Sequence, residues 1–342
     1  MMASVQEPAV YRTSPAPQNS AGAAPPIALS QLTHDYGGRL ALDHLSFEVR
    51  PAEIFGLLGP NGSGKTTLFR ILSTLMVPTN GTARIQGFDV AHEPNRVRQQ
   101  IGIVFQARSL DIKLTVGENL RHQGHLYGLK GATLKRRISE VLSRVGLLDR
   151  IRDSVETLSG GMQRRVELAK GLIHSPSVLL LDEPSTGLDP GARRDVWQYL
   201  KMLRDEEGVT VLVTTHLMEE AEHCDRLAIL NQGKLVALGS PSDLKSEIGG
   251  DVVIFETTSA SDAQELAEKI ANRFLLAPSA LGNTVRLERE QGHKFVTEVV
   301  EAFPGLVQGI SVSKPSLEDV FIQRTGHRFW TEQEISTGIK ED

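Results

Sequence analysis

Short apolar runs alternate along this chain with longer stretches in which apolar residues recur every three or four positions. Leu40 to Val49 predicts a strand, and Glu53 to Leu58 a short buried one that ends at a glycine-rich turn. Lys65 to Leu75 continues as a helix, and Val178 to Leu181 and Val209 to Thr214 predict two more short apolar strands. Such strands, separated by helices, predict an α/β fold with a parallel or mixed sheet covered on both faces. Between them, residues 107–157 change period. Leu120, Leu126, Leu129, Ile138, Val141, Leu142 and Val145 recur at helical spacing among basic residues, which predicts a helical insertion. Its Lys135-Arg136-Arg137 cluster reads as a solvated helix face.

The pattern restarts beyond Glu247, after Gly249-Gly250. Strands are predicted at Asp251 to Glu256, Val285 to Glu288 and Gly309 to Ser313, and helices at Ala263 to Phe274 and Lys294 to Phe303. A last helix starts near Ser316 and stops at Gly326. This β-α-β-α-β order suits a small α+β module of ferredoxin-like type. Residues 1–26 hold five of the sixteen prolines amid Ala, Ser and Gln, too little apolar surface to offset ordering, and are expected to be a disordered tail. The expected division is therefore a tail (1–26), a larger α/β unit (27–246), a small accessory module (247–326) and a second tail (327–342).

Composition narrows the partners. Of 342 residues, 37 are Lys or Arg and 42 are Asp or Glu, a net charge of −5 that argues against general nucleic-acid binding. The single cysteine, Cys224, excludes an intramolecular disulfide and fits a reducing cytosol. The longest uncharged stretch, Thr13 to Thr33, is broken by Pro15, Pro17, Pro25 and Pro26, and no signal peptide is evident. Any role at a membrane then requires a partner. His122 and His125 sit three apart on an expected helix, but lacking Cys or acidic neighbours they read as a surface pair.

Three motifs carry chemistry. Gly59-Pro60-Asn61-Gly62-Ser63-Gly64-Lys65-Thr66-Thr67 fits the G-x-x-x-x-G-K-[ST] phosphate loop, entered by a short strand and left by a helix. Its glycines let successive N–H groups turn inward on phosphate oxygens, and the helix start adds its positive dipole end. Lys65 reaches the β- and γ-phosphates, and the Thr66 hydroxyl suits Mg²⁺. Val178 to Leu181 ends in Asp182 and Glu183, where a parallel sheet places them beside the phosphates. Asp182 then suits the Mg²⁺ shell and Glu183 a general base acting on water, although taken alone the two are also a solvated acidic pair. Leu158-Ser159-Gly160-Gly161-Met162-Gln163-Arg164-Arg165 opens an amphipathic run with a good N-cap and exposed glycine N–H groups. By itself this is equally a capped helix after a loop.

Taken in order over roughly residues 27–240, these motifs and His216 resemble the ATP-binding-cassette (ABC) ATPase family. The resemblance implies a P-loop NTPase sheet core of an ABC cassette, with ATP and Mg²⁺ as cofactors and ATP hydrolysis as the reaction. It implies that Tyr36 stacks on adenine and that the loop from Gly59 to Thr67 cradles the phosphates. Gln106 is expected to touch Mg²⁺ or water, joining Thr66 and Asp182 as metal ligands, and His216 to contact the γ-phosphate. Glu183, His216, Gln106 and Lys65 are then the catalytic set. Ser159, Gly160 and Gly161, with Asp189 of the segment Thr186-Gly187-Leu188-Asp189, would reach the ATP held by a second copy, so a homodimer is implied. That segment departs from the frequent Ser-Ala-Leu-Asp form, and Met162 stands where the short signature has glutamine, but neither change removes a phosphate-contacting group. A separate membrane permease is the implied partner, with the chain at the cytoplasmic face of the membrane. The segment Lys314 to Gly326 resembles the end of daunorubicin-resistance-type exporter ATPases, which favours export, of a drug-like, lipid-like or other small substrate. An importer ATPase, or a soluble ABC-type ATPase without a transport role, is the alternative.

Overall fold

A computed structural model describes residues 24–329. The tails expected at either end therefore lie almost wholly outside the described residues. The chain opens with β1 (Ile27–Asp35), β2 (Leu40–Val49) and β3 (Ile54–Leu58), then α1 (Lys65–Leu72). After β4 (Asn80–Ile85), β5 (Phe88–Asp89) and α2 (Pro94–Gln100) comes β6 (Ile101–Val104). The insertion consists of α3 (Val116–Leu126) and α4 (Gly131–Arg144), and α5 (Gly160–Gly171) follows it. Next come β7 (Val178–Asp182), α6 (Pro190–Glu207), β8 (Thr210–Thr215), α7 (Met218–Ala221), β9 (Arg226–Asn231), β10 (Lys234–Gly239) and α8 (Pro241–Ser246). The remainder is β11 (Asp251–Glu256), α9 (Ala260–Phe274), β12 (Ser279–Leu281), β13 (Thr284–Arg289), α10 (Gly292–Ala302), β14 (Gly309–Ser313) and α11 (Leu317–Thr325).

Three sheets result. The central one has the order β10-β9-β3-β8-β7-β6. Its strands from β9 to β6 are parallel, and β10 is antiparallel at the edge. β3 is buried at every position, as a strand covered on both faces must be. An antiparallel sheet, β2-β1-β4-β5, packs against one face, where Phe47 stacks on Phe55 of β3 at 5.2 Å. The insertion covers the other face through a core that joins Leu120, Leu134 and Val141 to Val166, Leu179 and Val211.

The third sheet is antiparallel with the order β12-β13-β11-β14, which makes β11 to β14 the full β-α-β-β-α-β ferredoxin-like arrangement. The sequence pattern omits β12, whose three residues are too few to show a period. The last helix, α11, runs between its Ser316 cap and Gly326. It does more than close the small sheet: Leu317, Val320 and Phe321 share one apolar cluster with Leu58, Leu227, Ile229, Ala237 and Leu244 of the nucleotide-binding part.

Three smaller expectations fail for identifiable reasons. α1 ends at Leu72 with Ser73 as its cap, and Leu75, placed in that helix by pattern, is exposed. Leu126 keeps the helical spacing of its neighbours but is 81% exposed, because α3 ends there. Arg137 turns inward from its basic cluster and donates to the carbonyls of Leu172 and Ile173, capping the end of α5.

Candidate nucleotide site

Four adjacent parallel strands each release one loop at the same edge of the central sheet. β3 runs into the phosphate loop, β8 into His216, β7 into Glu183 and β6 into Gln106. This is the edge at which open parallel sheets bind ligands. The loops line a cleft of about 620 Å³ with Tyr36, Asn61, Gly62, Gly64, Lys65, Thr66, Thr67, Gln106, Glu183 and His216 on its wall. Arg39, Thr186 and Gln232 join them.

The phosphate loop holds its shape through backbone that only glycine tolerates. Gly64 sits at φ +103°, and a Cβ there would lie 2.6 Å from the Ala41 carbonyl oxygen. Lys65 is buried and donates through Nζ to the carbonyls of Gly59 (2.5 Å) and Pro60 (3.0 Å), so its charge is aimed along the loop. Ser63 is also buried within the loop. Tyr36 stands at the rim, 48% exposed, its hydroxyl 3.3 Å from Thr67 Oγ1 and its ring edge-on to His34. An accessible aromatic face at the mouth of a phosphate site can stack a base.

Glu183 is the centre of the polar network. Its Oε1 lies 2.9 Å from His216 Nδ1, and its Oε2 accepts from Gln106 Nε2 and Thr186 Oγ1, each at 3.2 Å. Burial pushes this carboxyl up, but the His216 hydrogen bond and charge, the Thr186 hydroxyl and the Lys65 charge outweigh it, so its pKa falls below the usual value. Asp182 behaves oppositely. Burial and the neighbouring Glu183 charge raise its pKa against the 2.6 Å hydrogen bond from Thr214 Oγ1 and the charges of Lys65 and Arg164. A carboxylate so placed is short of positive charge. The oxygen donors of Asp182, Thr66 and Gln106 are the hard ligands Mg²⁺ takes, so the residues fit that ion.

The remaining expected residues lie elsewhere. Ser159 caps α5, accepting from the Met162 N–H at 3.3 Å, and Asp189 caps α6 through the N–H groups of Gly191 and Ala192. A Cβ on Gly161 would meet Ala192 Cβ at 2.7 Å, so α5 and the start of α6 pack closely. Neither Ser159, Gly160, Gly161 nor Asp189 lines the cleft of the same chain.

Sequence reasoning missed several residues that the structure brings into play. Arg39 follows Tyr36-Gly37-Gly38 and is a cation on the wall of the same cleft. Thr186 was visible only as a departure from the usual segment, yet it donates to Glu183. Glu220 gave no signal at all. It is buried and accepts from Thr215 Oγ1 at 2.6 Å and from Ser185, tying the loop after β8 to the loop after β7.

A phosphate loop, an acidic strand end and a histidine sharing one cleft on a parallel sheet define a P-loop ATPase. The chain belongs to the ABC transporter family, whose profile matches residues 42–186. It is 37% identical over 306 residues to the linearmycin resistance ATP-binding protein of Bacillus subtilis, an alignment covering 85% of this chain and 95% of that one. The daunorubicin/doxorubicin resistance ATP-binding protein of Streptomyces peucetius is 38% identical, over 88% of this chain and 92% of its own. Nod factor export ATP-binding protein I of Ralstonia nicotianae is also 38% identical, over 92% and 98% respectively. Among solved structures, an ATP-binding cassette dimer in a post-hydrolysis state with ADP and Pi matches with a TM-score of 0.56 at 29% identity, covering 63% of this chain and 98% of that one. The chain is thus an ABC ATPase of drug-exporter type. Among the described residues no helix is long and apolar enough to cross a membrane.

Proposed function

We propose that this ATPase drives export of a drug-like, lipid-like or other small molecule through a separate membrane permease, working as two identical copies at the cytoplasmic face. Three relatives that align with most of the chain carry resistance or export in their names, which supports the direction of transport. The observation that carries the two-copy reading is the separation within one chain. Tyr36, the phosphate loop, Gln106, Glu183 and His216 gather in the cleft, while the Ser159 helix start and Asp189 lie outside it. A helix N-terminus that exposes N–H groups away from its own cleft is fitted to complete the cleft of another copy. We take residues 27–246 as the ATPase unit and residues 247–326 as an accessory module resting on it.

In this reading Tyr36 orients the base, and the loop N–H groups with Lys65 neutralise the phosphates. Thr66, Asp182 and Gln106 would hold Mg²⁺, which supplies charge neutralisation at the phosphates when bound. Glu183 accepts a proton from the attacking water, and His216 fixes the Glu183 carboxylate and faces the γ-phosphate. Ser159 with the Gly160 and Gly161 N–H groups of the second copy then bind the γ-phosphate, closing the pair until it is cleaved.

The test is mass on a sizing column. A Glu183→Gln chain should form a dimer in Mg-ATP and not in Mg-ADP. Adding Ser159→Arg should abolish that dimer while ATP binding persists. A dimer that survives Ser159→Arg overturns the shared-site reading.

A further inference from the structure

Arg164 lies in the fifth residue of α5, is 7% exposed, and is used by none of the roles above. Its guanidinium is almost fully engaged. Nε donates to the Pro184 carbonyl at 2.7 Å, and Nη2 to the carbonyls of Asp182 and Glu183, both at 3.3 Å. Nη1 donates to the Phe105 carbonyl and to Glu167 Oε2, each at 2.7 Å. Glu167 in turn accepts the Ser109 N–H at 2.7 Å. One side chain thus gathers three successive carbonyls around Glu183 and the carbonyl that precedes Gln106.

The backbone at Glu183 explains why such a clamp is needed. Glu183 sits at φ +45°, left-handed for a residue with a Cβ and therefore a strained conformation. The following residue is Pro184, which has no N–H with which to anchor the turn. Strained backbone persists only where its surroundings over-determine it, and here the constraint is a planar fork of donors. On the other side, the Glu183 N–H is held by Thr214, through Oγ1 at 3.0 Å. The carboxylate is then delivered within reach of Gln106 and His216.

We propose that Arg164 is a positioning residue for hydrolysis: by clamping the carbonyls of Asp182, Glu183, Pro184 and Phe105 it holds Glu183 and Gln106 in the geometry that attacks ATP. Its place on α5 has a second consequence. The helix whose N-terminus carries Ser159 also carries the clamp, so an ATP gripped by Ser159 in one site is mechanically joined to Glu183 in the other. This rests on Glu183 being the general base.

The experiment compares Arg164→Lys with the unaltered full-length chain, alone and in a Glu183→Gln background. Lysine keeps the charge facing Glu167 but cannot span the carbonyls. kcat should fall roughly 10- to 100-fold, as misplacement of a catalytic group does, with KM and the affinity for a fluorescent ATP analogue changed less than about threefold. In the Glu183→Gln background, single-turnover hydrolysis should show no further loss from Arg164→Lys. Glu167→Gln, which removes the charge paired with the guanidinium and leaves Arg164 in place, should lower kcat in the same direction. Equal fold losses from Arg164→Lys in both backgrounds would mark a general structural role and overturn the proposal, as would a loss confined to KM. A Glu183→Gln chain that hydrolyses ATP like the unaltered one would instead remove the base assignment, and is read first.

Discussion

His216 Nδ1 stands 2.9 Å from Glu183 Oε1, although the two residues leave different strands and lie 33 positions apart in sequence. The pairing follows from the order of the central sheet. β7 and β8 are parallel neighbours in register from Val178 with Thr210 to Asp182 with Thr214, so the residues just past their ends must meet. Thr214 reinforces the match by donating to Asp182 and accepting from the Glu183 N–H. The alignment of these two side chains is a property of strand register.

Glu183→Gln should retain ATP binding and lose turnover by about 10²- to 10⁴-fold, the usual contribution of a general base. The glutamine can still accept from Thr186 and Gln106, so the fold of the loop should survive. Steady-state phosphate release together with nucleotide titration checks this. Turnover within a few-fold of the unaltered protein would reject the role.

Lys65→Ala should weaken ATP binding as well as turnover. The ammonium is buried and held by the carbonyls of Gly59 and Pro60, ready to meet anionic oxygens. Charge-assisted hydrogen bonds of this kind are worth ~1.5–3 kcal/mol, or roughly 10- to 100-fold in affinity. ATP titration by calorimetry measures it; an unchanged Kd would count against phosphate contact.

Tyr36→Ala should cost ~1–3 kcal/mol of nucleotide affinity, the worth of a base–aromatic stack, whereas Tyr36→Trp should keep most of it. Because stacking ignores base identity, ATP and GTP should lose equally. A loss for Tyr36→Phe as large as for Tyr36→Ala would assign the effect to the hydroxyl bond with Thr67 instead.

The nucleotide-binding part was legible in sequence because its chemistry is local. A strand, a glycine loop and a helix are consecutive in the chain, so Gly59 to Thr67 announce their own context. Asp182 and Glu183 likewise sit at the end of an unbroken apolar run. Arg164 and Glu220 were not legible, because what they do depends on backbone carbonyls and hydroxyls brought from other strands. The small module was read strand by strand save β12, but its docking was hidden: periodicity shows that Phe321 is buried, not which surface buries it.

That docking surface is testable. Phe321 is fully buried and packs among Leu58, Leu227 and Leu244 of the ATPase part, with His327 and Phe329 edge-on to its ring. Phe321→Ala should destabilise by ~3–5 kcal/mol. Ending the chain at residue 246 should likewise lower the thermal midpoint, because it strips the cover from β9 and β10. A truncated chain melting where the full one does would show that the cluster contributes nothing to the ATPase part.

His174 is stacked on Tyr127 at 3.6 Å and donates from Nε2 to the Ile101 carbonyl at 3.0 Å, while its Nδ1 is buried without a partner. Burial lowers its pKa to about 4, aided by the Arg137 charge and opposed by the Ile101 hydrogen bond. The folded chain therefore refuses a proton that the unfolded chain accepts near pH 6.5. Above pH 6.5 both states are neutral and stability is unaffected. As pH falls from about 6.5 towards 4, the unfolded state gains the proton and stability drops, by up to ~3 kcal/mol from this residue. His174→Phe keeps the stack and removes the titration but leaves the Ile101 carbonyl unpaired. It should be less stable than the unaltered protein at pH 7.5 and lose less between pH 7 and pH 5. Urea midpoints at the three pH values decide it: parallel losses in both proteins would show that His174 does not govern the acid limb.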